Sequence, residues 1–111
     1  MSASSTITDP AIFAAGPDGL PPIHPGEILK DEIDALGLSL SAFAAALHIG
    51  KARIAEIVAG KRAISADTAL RLSRYLGTSP DFWLRLQADY DLKIAQAKGG
   101  AKIVKITPRA A

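Results

Sequence analysis

The sequence contains no cysteine, which excludes both a disulfide framework and a metal site built on thiolates. Aromatic residues are also scarce, at 5% of the 111 residues, whereas 49% of the residues are hydrophobic and many of those are alanine. This composition favours closely packed helices over a sheet sandwich, and the length fits one domain. We therefore expect an all-α fold.

Long apolar runs are missing as well, since none approaches the roughly 20 residues that span a bilayer. The N-terminal stretch MSASSTITDPAIFAAG has neither the basic region nor the continuous apolar core of a signal peptide. We therefore expect a cytoplasmic protein that makes no contact with a membrane.

The residue patterns of catalysis are absent from the sequence. His24 and His48 are far apart and have no neighbouring ligands, so we expect no metal site. Glu27, Asp31 and Glu32 follow one another on the first helical stretch, where carboxylates are ordinarily solvated. Because no nucleophile and base, phosphate loop or cofactor fingerprint appears, we predict that the protein is not an enzyme and holds no cofactor.

Proline and glycine divide the chain into three parts. Residues 1–22 contain four of the seven prolines, which predicts a flexible arm whose apolar piece, AIFAA at 11–15, orders on a partner. We expect a helical domain with a C-terminal dimerisation helix at 23–98 and a tail at 99–111. Within the tail, the weak alternation at 103–107 indicates a possible short strand.

Apolar residues repeat every three to four positions in five stretches, which predicts a compact five-helix bundle. The helices are expected at 25–36, 40–47, 51–59, 66–76 and from Pro80 to just before Gly99. Serines precede three of them and glycines follow three, as N-caps and C-caps do. The expected inner faces include Ile28, Leu29, Ile33, Leu36, Phe43, Ala44, Leu47, Ile54, Ile57 and Val58, and the fourth helix carries Ala69, Leu70, Leu72 and Leu76.

The neighbouring aromatics of the fifth helix cannot both face one core equally, because adjacent helical positions point about 100° apart. We expect one of Phe82 and Trp83 to pack inside and the other to join a contact between two copies of the chain. Phe82, Trp83 and Tyr90 are therefore the predicted homodimer interface.

The second and third helices have the features of a helix-turn-helix at residues 40–59. Three residues separate them, Ala44 is small enough for tight packing, and Ile54 is a branched apolar anchor. His48 stands where the turn requires a positive φ, which histidine tolerates better than most residues. The alternative is an ordinary helical hairpin. Positive charge supports DNA binding, because the stretch 51–74 holds six cations against two acids.

Four segments form a combination more specific than the helix-turn-helix alone: HPGEIL at 24–29, the helix-turn-helix itself, GKRAISADTALRL at 60–72 and GTSPDFWLRLQADYDL at 77–92. Together they resemble the HigA-type antitoxins, which belong to the lambda-repressor-like (XRE) helix-turn-helix class. The resemblance implies an antitoxin of a type II toxin-antitoxin module. Such a protein neutralises a HigB/RelE-type ribonuclease toxin and, as a homodimer on a palindromic operator, represses its own operon.

Departures from the class pattern limit base recognition. Leu40, Gly50 and Ala59 stand where this class often has glutamine, serine and asparagine, so few hydrogen-bonding side chains remain. A stand-alone XRE repressor without a toxin, and a protein-binding helical module that no longer reads DNA, are the alternatives. The predicted DNA-binding residues are Gly50, Lys51, Ala52, Arg53, Lys61 and Arg62.

Overall fold

A computed structural model of the chain describes residues 21–110. Within that range the chain forms five α-helices and no β-strand. The helices are α1 (Pro25–Leu36), α2 (Leu40–Leu47), α3 (Lys51–Val58), α4 (Ala66–Leu76) and α5 (Pro80–Ile103). The predicted all-α helix-turn-helix fold is therefore confirmed. The predicted flexible arm at 1–22 falls almost entirely outside the described residues.

The helix ends are fixed by the caps that the sequence predicts. The Ser39 hydroxyl accepts a hydrogen bond from the Ala42 N–H at 3.1 Å, and Ser65 and Ser79 accept equivalent bonds at the starts of α4 and α5. Gly37 ends α1 in the left-handed conformation, with φ of 70°. Each cap occupies backbone groups that a helix end leaves without an intrahelical partner.

The predicted end of α5 and the short strand after it are wrong. The helix continues through Gly99 and Gly100 to Ile103, and the Val104 N–H still donates to the Gly100 carbonyl at 3.0 Å. Two glycines cost helix stability of about 1 kcal/mol each, which is not enough to stop a helix that has already formed. A strand needs a partner for its backbone hydrogen bonds, and none exists among residues 21–110.

The region Ile23–Ala88 forms one unit, and the residues from Asp89 onward belong to another. In the first unit, apolar side chains from all five helices and from the loop before α4 form one core. It consists of Leu29, Ile33, Phe43, Ala44, Leu47, Ile54, Ile57, Ile64, Ala69, Leu72 and Trp83. The predicted domain boundaries at 23 and 98 stay a prediction.

Two leucines of the apolar pattern are exposed rather than buried. Leu36, the last residue of α1, is 47% exposed although its spacing predicts an inner face, and Leu70 on α4 is 60% exposed. Leu70 precedes the buried Leu72 by two positions, so the two side chains point about 200° apart around α4. No helix among the described residues is long and apolar enough to cross a membrane.

Candidate nucleic-acid interface

The contact between α2 and α3 has the geometry of a helix-turn-helix. Ala44 on α2 is 2% exposed and Ile54 on α3 is fully buried, so a small residue and a branched one pack at this junction. In the turn, the N–H groups of His48 and Ile49 donate to carbonyls in the last turn of α2 at 3.1 Å. The prediction of this motif at residues 40–59 is confirmed.

The turn holds a histidine in the left-handed conformation. His48 has φ of 57° and ψ of 40°, and it is the one non-glycine residue with a positive φ among those described. From α4, the Arg71 guanidinium donates two hydrogen bonds to this corner, to the Leu47 carbonyl at 3.0 Å and the His48 carbonyl at 2.9 Å. These bonds join the C-terminus of α2 to α4, and sequence reasoning missed them.

The start of α1 lies directly against α3. His24 is 7% exposed, and its Nδ1 accepts a hydrogen bond from the Gly26 N–H at 2.9 Å, while the backbone N–H of His24 donates to the Glu27 carboxylate at 3.2 Å. Gly26 has no room for a Cβ, because that atom would overlap the Ile57 carbonyl. His24 is thus a helix cap, a role that sequence reasoning missed although the Glu at the third helical position signals a capping box.

Gln87 is a second buried polar residue that the sequence analysis did not single out. It lies on α5 and is 7% exposed, and its side-chain oxygen accepts a hydrogen bond from the Ile64 N–H at 2.8 Å. This bond satisfies a buried backbone donor in the loop before α4. No group of three or more His, Cys, Asp or Glu side chains that could hold a metal ion occurs among residues 21–110.

All six residues predicted to contact DNA are exposed, and they lie on α3, at its N-cap, or in the loop that follows it. Gly50 is the N-cap of α3 and provides no side-chain hydrogen bond to the helix. Lys51 and Arg53 lie in the first turn of α3, whereas Lys61 and Arg62 follow its C-terminal end. Their role in DNA binding stays a prediction.

Two of these cations have acidic partners within the chain. Arg62 pairs with Glu56 of α3 at 2.9 Å, and Arg53 approaches Asp67 of α4 at 3.9 Å. The side chains in these pairs are 44% to 59% exposed, so solvent screens the attraction and each pair contributes little to stability. Both arginines therefore remain accessible to DNA phosphates or bases.

The three aromatics predicted for a dimer contact differ in their exposure. Trp83 is fully buried, and its indole N–H donates to the Thr78 hydroxyl at 2.8 Å, so Trp83 is not available to a second copy. Phe82 is 41% exposed and meets Trp83 edge to face, with ring centroids 5.0 Å apart. Tyr90 is half-buried. As the sequence predicted, one of the adjacent pair packs inside and the other faces out; the dimer contact itself stays a prediction.

Residues 29–83 match the family model described as helix-turn-helix, and the geometry of α2, α3 and their turn agrees with that class. Virulence-associated protein I of Dichelobacter nodosus is 53% identical over 83 residues, which cover 74% of this chain and 77% of that protein. An addiction module antidote protein of the HigA family from Coxiella burnetii is 49% identical, with a TM-score of 0.77 over 79% of this chain and 98% of that one.

The Pseudomonas aeruginosa antitoxin HigA, solved with the higBA promoter, is 45% identical with a TM-score of 0.77, over 80% of this chain and 99% of that one. The chain therefore belongs to the HigA family of helix-turn-helix antitoxins.

Proposed function

We propose that this protein is the antitoxin of a type II toxin-antitoxin module, which represses its own operon by binding operator DNA and neutralises a HigB/RelE-type ribonuclease toxin. The observation that carries the proposal is the first turn of α3, where Lys51 and Arg53 are exposed on a helix that Ile54 and Ile57 anchor in the core. We refer to α3 as the recognition helix.

Rigid support makes this arrangement suitable for reading DNA. In this motif the N-terminal residues of the second helix contact base edges in the major groove. Here Ile54 and Ile57 fix the recognition helix against the core, and Arg71 fixes the preceding turn through the carbonyls of Leu47 and His48. The solved complex of the Pseudomonas aeruginosa antitoxin HigA with the higBA promoter supports the same use of the fold.

We propose that the protein binds its operator as a homodimer. One recognition helix of eight residues reads only a few base pairs, and a two-fold pair on a palindromic site doubles the recognised sequence. Phe82, which is exposed on α5, is the aromatic that we assign to the contact between the two copies.

DNA binding is tested by titrating the protein against its own promoter and a scrambled duplex at several salt concentrations. We expect affinity to fall linearly with salt on a log–log plot, with a slope of about 0.9 per phosphate contact. Replacing Lys51 and Lys61 together by alanine is expected to make that slope shallower. The matched control replaces Lys102 and Lys105, which are also exposed but lie at and beyond the end of α5, and is expected to leave the slope unchanged. An affinity for the promoter that does not depend on salt would contradict the proposal.

The toxin is tested by co-expressing the protein with the product of the neighbouring gene and isolating the tagged antitoxin. We expect a stable complex with a small basic protein whose ribonuclease activity is lost in the complex. Promoter binding without any such complex would instead support a stand-alone XRE-type repressor.

A further inference from the structure

Asp67 holds a carboxylate between two arginines beside the recognition helix. Its Oδ2 is 2.9 Å from Arg71 Nε on the same helix and 3.9 Å from Arg53 Nη1 on the recognition helix. Asp67 lies in the first turn of α4, after the Ser65 cap, so it has a helix-dipole role that its sequence position alone predicts. The approach to Arg53 is a second role, which depends on the packing of α4 beside α3.

The position of this carboxylate is fixed by hydrogen bonds that have nothing to do with DNA. Arg71 is held by the carbonyls of Leu47 and His48, and its Nε donates to the Asp67 carboxylate. The carboxylate is thereby restrained at one end while Arg53 remains 44% exposed at the other. Asp67 is thus held by a direct hydrogen bond from Arg71 at 2.9 Å, whereas its approach to Arg53 is longer, at 3.9 Å.

The approach of Asp67 to Arg53 matters little for the stability of the fold but more for DNA binding. Exposed pairs of this kind add little to the free energy of folding. A carboxylate near the recognition helix, however, repels every phosphate that approaches, whatever the sequence of the DNA. The carboxylate also attracts the guanidinium of Arg53, and it therefore competes with DNA phosphates for that guanidinium.

We propose that Asp67 is a specificity-determining residue that lowers the affinity for non-operator DNA. Its carboxylate neutralises Arg53 until a base edge takes the place of that carboxylate as the partner of Arg53. This rests on the proposed function. Specificity is a difference between two affinities, and an element that weakens binding to the wrong partner raises it. On random DNA, Arg53 meets only phosphates, so it exchanges the Asp67 carboxylate for another negatively charged group. On the operator a bidentate contact with guanine gives Arg53 a better partner than Asp67.

The test compares Asp67→Asn with the unchanged protein on operator and scrambled duplexes. Removing one acid adds one effective cation, so affinity for the scrambled duplex is expected to rise by about fivefold to tenfold near 0.1 M salt, with the log–log salt slope steeper by about 0.9. Affinity for the operator is expected to rise less, so the ratio of the two affinities falls.

Asp34→Asn is the matched control. Asp34 is 63% exposed, pairs with Lys30 at 2.9 Å, and raises the pKa of Lys30 above its ordinary value through a hydrogen bond and its charge. The substitution removes the same charge from a similar exposed pair, but on α1. We expect it to leave the ratio of operator to scrambled affinity unchanged.

A double-mutant cycle separates the effect on Arg53 from a general change in charge. In an Arg53→Ala background, Asp67→Asn is expected to change the affinity ratio much less than it does in the unchanged protein. An equal change in both backgrounds would overturn the proposal and leave the DNA-binding function intact. An unchanged affinity ratio in Asp67→Asn would likewise overturn only the role of Asp67. If the unchanged protein bound neither duplex, both the role of Asp67 and the proposed DNA-binding function would be overturned.

Discussion

Lys51 and Arg53 are two residues apart in the recognition helix, and their surroundings differ in ways that decide what each contributes. They project about 200° apart around the helix axis, so they do not face the same base edge. Arg53 lies beside Asp67 and carries the planar guanidinium that binds guanine through two hydrogen bonds, while Lys51 is a compact charge suited to phosphate.

The first prediction, at this scale, separates base recognition from backbone contact. Arg53→Ala is expected to weaken operator binding by about 1 to 3 kcal/mol and to relax the preference at one base pair in each half-site. Lys51→Ala is expected to weaken the operator and scrambled duplexes more evenly and to make the salt slope shallower. Titrations at two salt concentrations measure both. An Arg53→Ala protein that loses the same affinity for both duplexes would show that Arg53 does not read a base.

Gly26 carries the second residue-scale prediction, since a Cβ at this position overlaps the Ile57 carbonyl in the backbone of the recognition helix. Gly26→Ala is expected to lower the free energy of unfolding by about 1 to 3 kcal/mol, because rigid backbone has to move. Gly99→Ala is the control. A Cβ at Gly99 would lie 3.8 Å from an Ile103 methyl group, so helix propensity makes this change neutral or stabilising. Urea unfolding followed by circular dichroism measures both, and equal stability of the two variants would contradict the close approach.

At the scale of elements, the turn between α2 and the recognition helix combines an unfavourable backbone conformation with hydrogen bonds from a side chain on α4. His48 has φ of 57°, a region that costs energy for residues other than glycine. Arg71 offsets part of that cost through its hydrogen bonds to the carbonyls of Leu47 and His48. The orientation of the recognition helix therefore depends on α4 as well as on α2.

The third prediction concerns this turn. His48→Gly is expected to stabilise the protein by about 0.5 to 1 kcal/mol, because relief of the left-handed conformation exceeds the added freedom of the unfolded chain. His48→Ala keeps the positive φ and is expected to give no such gain. Thermal unfolding of the two variants gives the comparison. A gain in His48→Ala equal to that in His48→Gly would mean that the side chain, and not the backbone conformation, limits stability.

At the scale of the whole molecule, the fourth prediction concerns the homodimer. Phe82 is exposed on α5 next to a tryptophan that the core already uses, so we expect Phe82→Arg to shift the protein from dimer to monomer in light scattering at micromolar concentration. Leu36→Arg is the control, because Leu36 is similarly exposed at the end of α1. Phe82→Arg is expected to disrupt the dimer because a buried aromatic side chain contributes strongly to the affinity of an interface, whereas burial of a charged side chain there is unfavourable. Dimers in both variants would place the interface elsewhere.

Local signals in the sequence determined most of the fold. Serine before a helix and glycine after it act on their own backbone, so the starts of α2, α4 and α5 and the ends of α1 and α4 were predictable. Apolar periodicity identified most of the core, as well as the small residue and the branched anchor of the helix-turn-helix. It failed at Leu36, where the spacing predicts an inner face but the side chain at the end of α1 is 47% exposed.

The contacts that define the candidate site were decided by tertiary structure, because they join residues far apart in the chain. Arg71 reaches the Leu47 carbonyl across 24 positions, and Gln87 reaches the Ile64 N–H across 23. The approach of Asp67 to Arg53 is likewise set by the packing of α4 beside the recognition helix. A sequence shows that such side chains are polar, but only the packed helices show which carbonyl, N–H group or cation each one meets. The sequence by itself thus determined the helices, their caps and the class of protein, while the fold decided which charges surround the recognition helix.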